Sequence, residues 1–102
     1  MPSKDYRIWI NETTYIVVDL VMVRGRVVSF VVRLMKIDGE SEVNVARYDT
    51  SHGAPHRGVL GKRRGLIRKE WLFSMSLSKV MQDAIADFKL NYENYLQGYE
   101  KN

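Results

Sequence analysis

The sequence predicts an α+β domain: an antiparallel meander of four to five strands packed by one long C-terminal helix. Two observations support this. The first two thirds of the chain alternate apolar and polar residues with a period of two, between glycine-containing turns. The last third repeats apolar residues at three- and four-residue steps, which is the period of a helix. A meander with one apolar face must cover it, so we expect the helix to lie across that face.

The strand patterns span residues 6–10, 15–23, 27–37, 42–48 and 66–73. Gly25 and the pair Asp38-Gly39 are turn signals that predict two hairpins. In the strand 42–48, simple alternation places Val45 on the face opposite to Ala46. The segment 57–65, RGVLGKRRG, has three glycines and is predicted to be a turn or a flap.

The helix pattern begins after Ser76 or Ser78, either of which is a suitable N-cap. Gly98 is a suitable end, which gives a helix of roughly twenty residues. Tyr92, Tyr95 and Tyr99 share one side of this helix. They are expected to form either the rim of the helix–sheet core or a surface for a partner protein.

The composition limits the class of protein. The 102 residues predict a single domain, 1–102, with no cysteine and therefore no thiolate or cysteine-based metal chemistry. No cofactor-binding motif is indicated. The N-terminal segment lacks an apolar export signal, and the longest apolar run is half a membrane span. We therefore expect a soluble cytoplasmic protein with no membrane partner.

The formal charge of +4 favours a polyanionic partner, and the excess is local. Residues 57–69 contain six cations and no acid. These residues, with Arg47 before them, predict a surface for the RNA backbone. The alternative is an ordinary solvated turn. The cations assigned to RNA binding are Arg47, Lys62, Arg63, Arg64, Arg68 and Lys69.

The segment YDTSHGAPHR, residues 48–57, contains both histidines of the chain, His52 and His56. Imidazoles titrate near neutrality, so one can act as general base and the other as general acid. Arg57 would stabilise charge on a phosphate, with help from Arg63 or Arg64. Tyr48 and Asp49 would position the imidazoles. This set predicts a metal-independent ribonuclease.

Three alternatives to this chemistry remain. Asp49, His52 and His56 have the donor types of a metal site, but Gly53 and Pro55 remove the helical register that would align them. The histidines can also be structural, bonding backbone groups of a turn. Finally, the protein can be a non-catalytic module that binds nucleic acid or another protein.

The segment RYDTSHGAPHR, followed by the basic glycine-rich turn and IRKEWL, resembles small proteins related to the TumE-type toxins of toxin–antitoxin modules. The resemblance covers the middle third of the chain and the strand order. It implies a toxin-like protein that acts on RNA and pairs with an antitoxin. It carries over to Tyr48, Asp49, His52, His56 and Arg57, although here an arginine follows His56 where the family pattern has further histidines. An exposed strand edge and the helix tyrosines also suggest a homodimer.

Overall fold

The computed structural model describes residues 3–50, 54–72 and 76–102. Its strands form one antiparallel sheet in chain order, with the helix following them. The predicted α+β class, with a meander packed by one C-terminal helix, is confirmed. The elements are β1 (Ser3–Trp9), β2 (Thr14–Val23), β3 (Arg26–Asp38), β4 (Ser41–Asp49), β5 (His56–Gly61), β6 (Gly65–Trp71) and α1 (Leu77–Lys101).

The sheet has six strands, so the prediction of four to five was wrong. The strand that was missed is β5, which was interpreted as part of a glycine-rich turn. Val59 of β5 pairs with Ala46 on one side and with Arg68 on the other. Hydrogen bonding to neighbours on both sides outweighs the low strand propensity of glycine. Only residues 62–64 turn the chain, and Gly65 follows them with a φ of 69°.

The two predicted hairpins are present. Arg24 and Gly25 have φ values of 52° and 77°, and this pair of positive values is typical of a type I′ hairpin turn. Gly39 has a φ of 64° and closes the hairpin between β3 and β4. These turns place β2, β3 and β4 side by side along most of their lengths.

The core lies between one face of the sheet and α1, as the alternation predicted. One placement differs: a bulge in β4, opposite Leu34 and Met35, leaves Val45 without a partner. Val45 and Ala46 are therefore both fully buried, although simple alternation placed them on opposite faces. The core residues are Ile16, Val18, Leu20, Phe30, Val32, Leu34, Val45, Ala46, Tyr48, Val80, Met81, Ala84 and Phe88.

The helix α1 has 25 residues and is longer than predicted. Ser76 caps it by accepting a hydrogen bond from the backbone N–H of Lys79 at 3.3 Å. It continues past Gly98 to Lys101. The three tyrosines on its second half are partly buried and pack against the core, which supports their interpretation as rim residues. Within the described ranges, no helix is both long and apolar enough to cross a membrane.

Candidate functional site

The described residues of the predicted catalytic site lie on two faces of the sheet. Successive side chains of a strand point to opposite faces. Tyr48 pairs with Arg57 in the row of Val18 and Val32, so these two side chains lie on the side of α1. Asp49 pairs with His56 in the next row, so the side chains of these two residues lie on the other face of the sheet. We call this the open face, because α1 does not cover it.

On the open face, Asp49 and His56 form a buried pair. Asp49 Oδ1 lies 3.0 Å from His56 Nε2, and the two residues are only 4% and 3% exposed. His56 Nδ1 lies 3.3 Å from the carbonyl oxygen of Ala54, so both ring nitrogens face acceptors. The imidazole also contacts the ring of Trp71, with centroids 5.1 Å apart. This environment fixes the imidazole and shields it from solvent, which suits a structural role better than proton exchange with a substrate.

On the helix side, Tyr48 belongs to a network centred on Asp87. The hydroxyls of Tyr48 and Tyr95 donate to Asp87 Oδ2 at 2.7 and 2.5 Å, and Asn91 donates to Oδ1 at 2.7 Å. Burial and the hydrogen bond to Asp87 raise the pKa of Tyr48 well above its usual range. The same two causes raise the pKa of Tyr95 to about 12. The bond donated by Tyr48 links β4 to α1, whereas the bond donated by Tyr95 stays within α1.

Arg57 completes this network. It donates to the Tyr95 hydroxyl at 2.9 Å, and its Nη2 pairs with Glu70 at 2.7 Å. Burial by itself lowers the pKa of Arg57, but the hydrogen bonds to Glu70 and Tyr95 outweigh it and raise the pKa. Arg68 Nε reaches the same Glu70 oxygen at 3.1 Å. An open cavity of about 300 Å³ lies beside these groups, against the second half of α1. The Arg57 side chain is thus bonded on the helix side of the sheet, whereas the His56 side chain lies on the open face.

His52 lies outside the described residues, so the predicted histidine pair and the predicted metal set with Asp49 cannot be placed. Among residues 3–50, 54–72 and 76–102, no group of three or more acidic or histidine side chains is arranged to hold a metal ion.

A row of cations crosses the open face. The register aligns Arg7 of β1 with Val17, then Arg33, then Arg47, then Gly58, and finally Lys69 of β6. Four of these six positions are basic, and we call them the basic row: Arg7, Arg33, Arg47 and Lys69. Gly58 leaves a gap without a side chain between the last two cations.

The contacts of the basic row hold its side chains in place. Arg33 Nη2 pairs with Asp19 at 2.7 Å, and Arg47 Nε lies 3.3 Å from Asp49 Oδ2, without the alignment of a hydrogen bond.

The outer two cations of the row lie over aromatic rings. The Arg7 guanidinium is 5.0 Å from the Tyr15 ring centroid, and the Lys69 ammonium is 4.9 Å from that of Trp71. Trp9 packs beside Tyr15, with centroids 4.7 Å apart, and is 53% exposed; Trp71 is 46% exposed. Exposed aromatic rings thus lie near both ends of the basic row.

The predicted RNA-binding cations separate into three places. Arg47 and Lys69 flank Gly58 on the open face, whereas Arg68 points to the helix side and pairs with Glu70. The remaining three, Lys62, Arg63 and Arg64, lie in the exposed turn between β5 and β6.

Lys62 is tied to α1 through Glu100, whose carboxylate is 3.4 Å from its Nζ. Hydrogen bonds from Lys36 and Lys62 lower the pKa of Glu100. Arg7 and Arg33 of the basic row were not among the predicted RNA-binding residues. Strand alternation was the available signal, because it turns Arg33 away from the apolar neighbours Val32 and Leu34.

Comparison of the chain with curated proteins and with solved structures finds no match. The resemblance to the TumE-type toxins therefore stays a prediction. A family model does match the whole of residues 1–102, and the chain belongs to that family, described as Domain of unknown function (DUF7718).

Proposed function

We propose that this protein is a non-catalytic module that binds single-stranded nucleic acid, with RNA as the expected ligand, on the open face of its sheet. The observation that carries the proposal is the basic row with exposed tryptophans near its ends. Proteins that bind single strands combine cations that follow the backbone with aromatic rings on which bases stack.

The dimensions of the row suit such a ligand. Neighbouring strands are about 4.8 Å apart, so Arg7 and Lys69, on the two edge strands, are separated by roughly 24 Å. That length accommodates several nucleotides. Among the residues that the structure describes, no helix projects from this face to enter a major groove, which favours an unpaired strand over a duplex.

Binding accounts for the geometry better than cleavage does. A cleaving site needs a base, an acid and a cation around one phosphate. Here His56 is buried against Asp49 on one face, while Arg57 is bonded to Glu70 and Tyr95 on the other. The basic row, in contrast, is on a single accessible face.

The proposal is tested by titrating the protein with short single-stranded RNA and DNA across a salt series. On a single strand, each cation that contacts a phosphate contributes about 0.7 to the magnitude of the slope of log affinity against log salt. Arg7→Gln, Arg33→Gln and Lys69→Gln should therefore each reduce that magnitude by about 0.7. Lys89→Gln, on the exposed side of α1, removes the same charge and should leave the slope unchanged. Equal slopes in all four variants would contradict the proposal.

Intrinsic fluorescence gives an independent readout, because both tryptophans of the chain, Trp9 and Trp71, lie on the open face. Stacked bases should quench them, and binding without quenching would place the ligand elsewhere. The same mixtures are analysed for RNA products. Cleavage that is lost in both His52→Ala and His56→Ala would favour the ribonuclease over the binding module.

A further inference from the structure

The strand β1 forms one edge of the sheet and pairs with β2 along all seven of its residues. Its outer side carries a row of backbone N–H and C=O groups that a further strand can use. Proteins usually protect such an edge with a short strand, a bulge, a proline or charged side chains, lysine above all. None of the residues 3–9 is a proline, and the pairing with β2 has no bulge. The charged side chains of β1, Lys4, Asp5 and Arg7, alternate in sign, so a strand with the complementary order of charges can neutralise them.

The charges on β1 are not balanced within the chain. Asp5 lies directly opposite Asp19, and like charges in this position destabilise a sheet. Asp19 is itself paired with Arg33. Within the described ranges neither Asp5 nor Arg7 has an ion pair, and Arg7 lies opposite Val17. Asp5 is thus a carboxylate that lies opposite another carboxylate and has no ion pair among the described residues.

A second copy of β1 supplies the missing charges. In an antiparallel pair centred on Tyr6, a two-fold axis places Asp5 opposite Arg7 of the other copy, and does so twice. Both pairs lie on the open face. On the helix side, Tyr6 meets its own copy and Lys4 lies opposite Ile8. Tyr6 is partly exposed, with the Lys4 ammonium 5.9 Å from its ring centroid. No position in this register meets a like charge.

The other edge strand, β6, does not have this property. A register centred on Arg68 places that cation opposite its own copy. A register centred on Lys69 pairs Arg68 with Glu70 but sets Lys69 against Lys69, which is unfavourable. Glu70 is moreover already bonded to Arg57 and Arg68 within the chain. A register centred on Ile67 avoids like charges but sets Arg68 and Lys69 opposite the uncharged Leu66 and Gly65. The charges therefore favour β1, where a register with two opposite-charge pairs and no like-charge pair exists.

From this complementarity we infer that the protein forms a two-fold homodimer through its β1 edges, joining two six-stranded sheets into one of twelve strands. The interface consists of backbone hydrogen bonds between the two copies of β1, with the Asp5–Arg7 pairs fixing the register. This inference does not depend on nucleic-acid binding, because it concerns the edge of the sheet and is measured without ligand.

Charge reversal tests the register. Asp5→Arg and Arg7→Asp each create like-charge pairs at both positions, and we expect either variant to raise the dimer dissociation constant about tenfold or more in sedimentation equilibrium. The double variant Asp5→Arg/Arg7→Asp restores opposite charges and should dimerise like the unmodified chain. An equimolar mixture of the two single variants should form a heterodimer, since one β1 is then basic and the other acidic.

Lys69→Glu on β6 is the matched control, because it makes the same change in net charge as Arg7→Asp at the other edge; it should leave dimerisation unchanged. Circular dichroism and thermal melting confirm that each variant folds. A monomer at the highest soluble concentration of the unmodified chain would overturn the inference. So would a dimer that the single reversals do not weaken, or one that only Lys69→Glu disrupts.

Discussion

His56 and Arg57 are adjacent in β5, yet their side chains act on opposite faces of the sheet. The imidazole of His56 lies 3.0 Å from Asp49 on the open face, and the guanidinium of Arg57 lies 2.9 Å from the Tyr95 hydroxyl on the helix side. Two neighbours in sequence therefore belong to two separate polar clusters.

The pair of Asp49 and His56 should contribute to stability. His56→Ala leaves a buried carboxylate without its imidazole, and we expect the free energy of unfolding to fall by about 3 kcal/mol. Urea denaturation measures this. In the double variant with Asp49→Ala, the two losses should be less than additive by about 1 kcal/mol or more. A single variant as stable as the unmodified chain would show that the pair is not formed.

The network around Asp87 should make stability sensitive to alkaline pH. Burial and the hydrogen bond to Asp87 raise the pKa of Tyr95 from 10.0 to about 12, so the unfolded chain loses this proton at lower pH than the folded chain. The stabilisation is complete below pH 10 and should be lost as pH rises from about 10 to about 12.

Urea titrations at successive pH values measure this loss of stability, and phenolate absorbance follows the tyrosines directly. In Tyr95→Phe, stability should fall less over this pH range, and the remaining fall comes from Tyr48 and Tyr15, whose pKa values are also raised. If stability falls by the same amount in Tyr95→Phe as in the unmodified chain, the loss of the Tyr95 hydroxyl proton is not its cause.

Gly61 should be required where β5 meets the end of α1. A Cβ at this position would lie 2.7 Å from backbone and Cβ atoms of Asn102, so Gly61→Ala must move the hairpin. The backbone N–H groups of Lys62, Arg63 and Arg64 bond to carbonyls at the end of α1 and would be displaced. We expect a loss of about 1–3 kcal/mol, measured by urea denaturation.

Gly98→Ala is the matched control for this substitution. Gly98 lies inside α1 and has open space around its Cα, so alanine there should stabilise the protein by about 0.5–1 kcal/mol. A similar loss in both variants would mean that the close approach to Asn102 is not the cause.

Gly58 provides a test of the basic row that removes none of its cations. It lies between Arg47 and Lys69, and a Cβ there meets only contacts of 3.4 Å or more. Gly58→Glu places an acid in the middle of the row and should weaken single-stranded RNA binding about tenfold or more at low salt. Gly58→Gln fills the same space without charge, so the difference between the two variants isolates the electrostatic contribution. Equal affinities would contradict binding at this row.

The strand β5 shows that local sequence patterns are not sufficient to predict every strand of this sheet. Three glycines in residues 57–65 predicted a turn, because local propensity was the only information available. The segment forms a strand because β4 and β6 hydrogen-bond it on both sides. The bulge at Val45 has a similar origin, since it arises from the register between two strands and not from the residues of β4 alone.

The sequence by itself determined the α+β class, the two hairpins at Gly25 and Gly39, the apolar faces of β2 and β3, and a capped amphipathic helix. These follow from periodicity and from the conformational freedom of glycine, which act over a few residues. Only the tertiary structure decided which polar residues meet. Lateral pairing of six strands aligned Arg7 with Arg33, Arg47 and Lys69, and the alternation of β5 placed His56 and Arg57 on opposite faces. The physical reason is that register depends on contacts between distant segments, which a pattern along the chain does not contain.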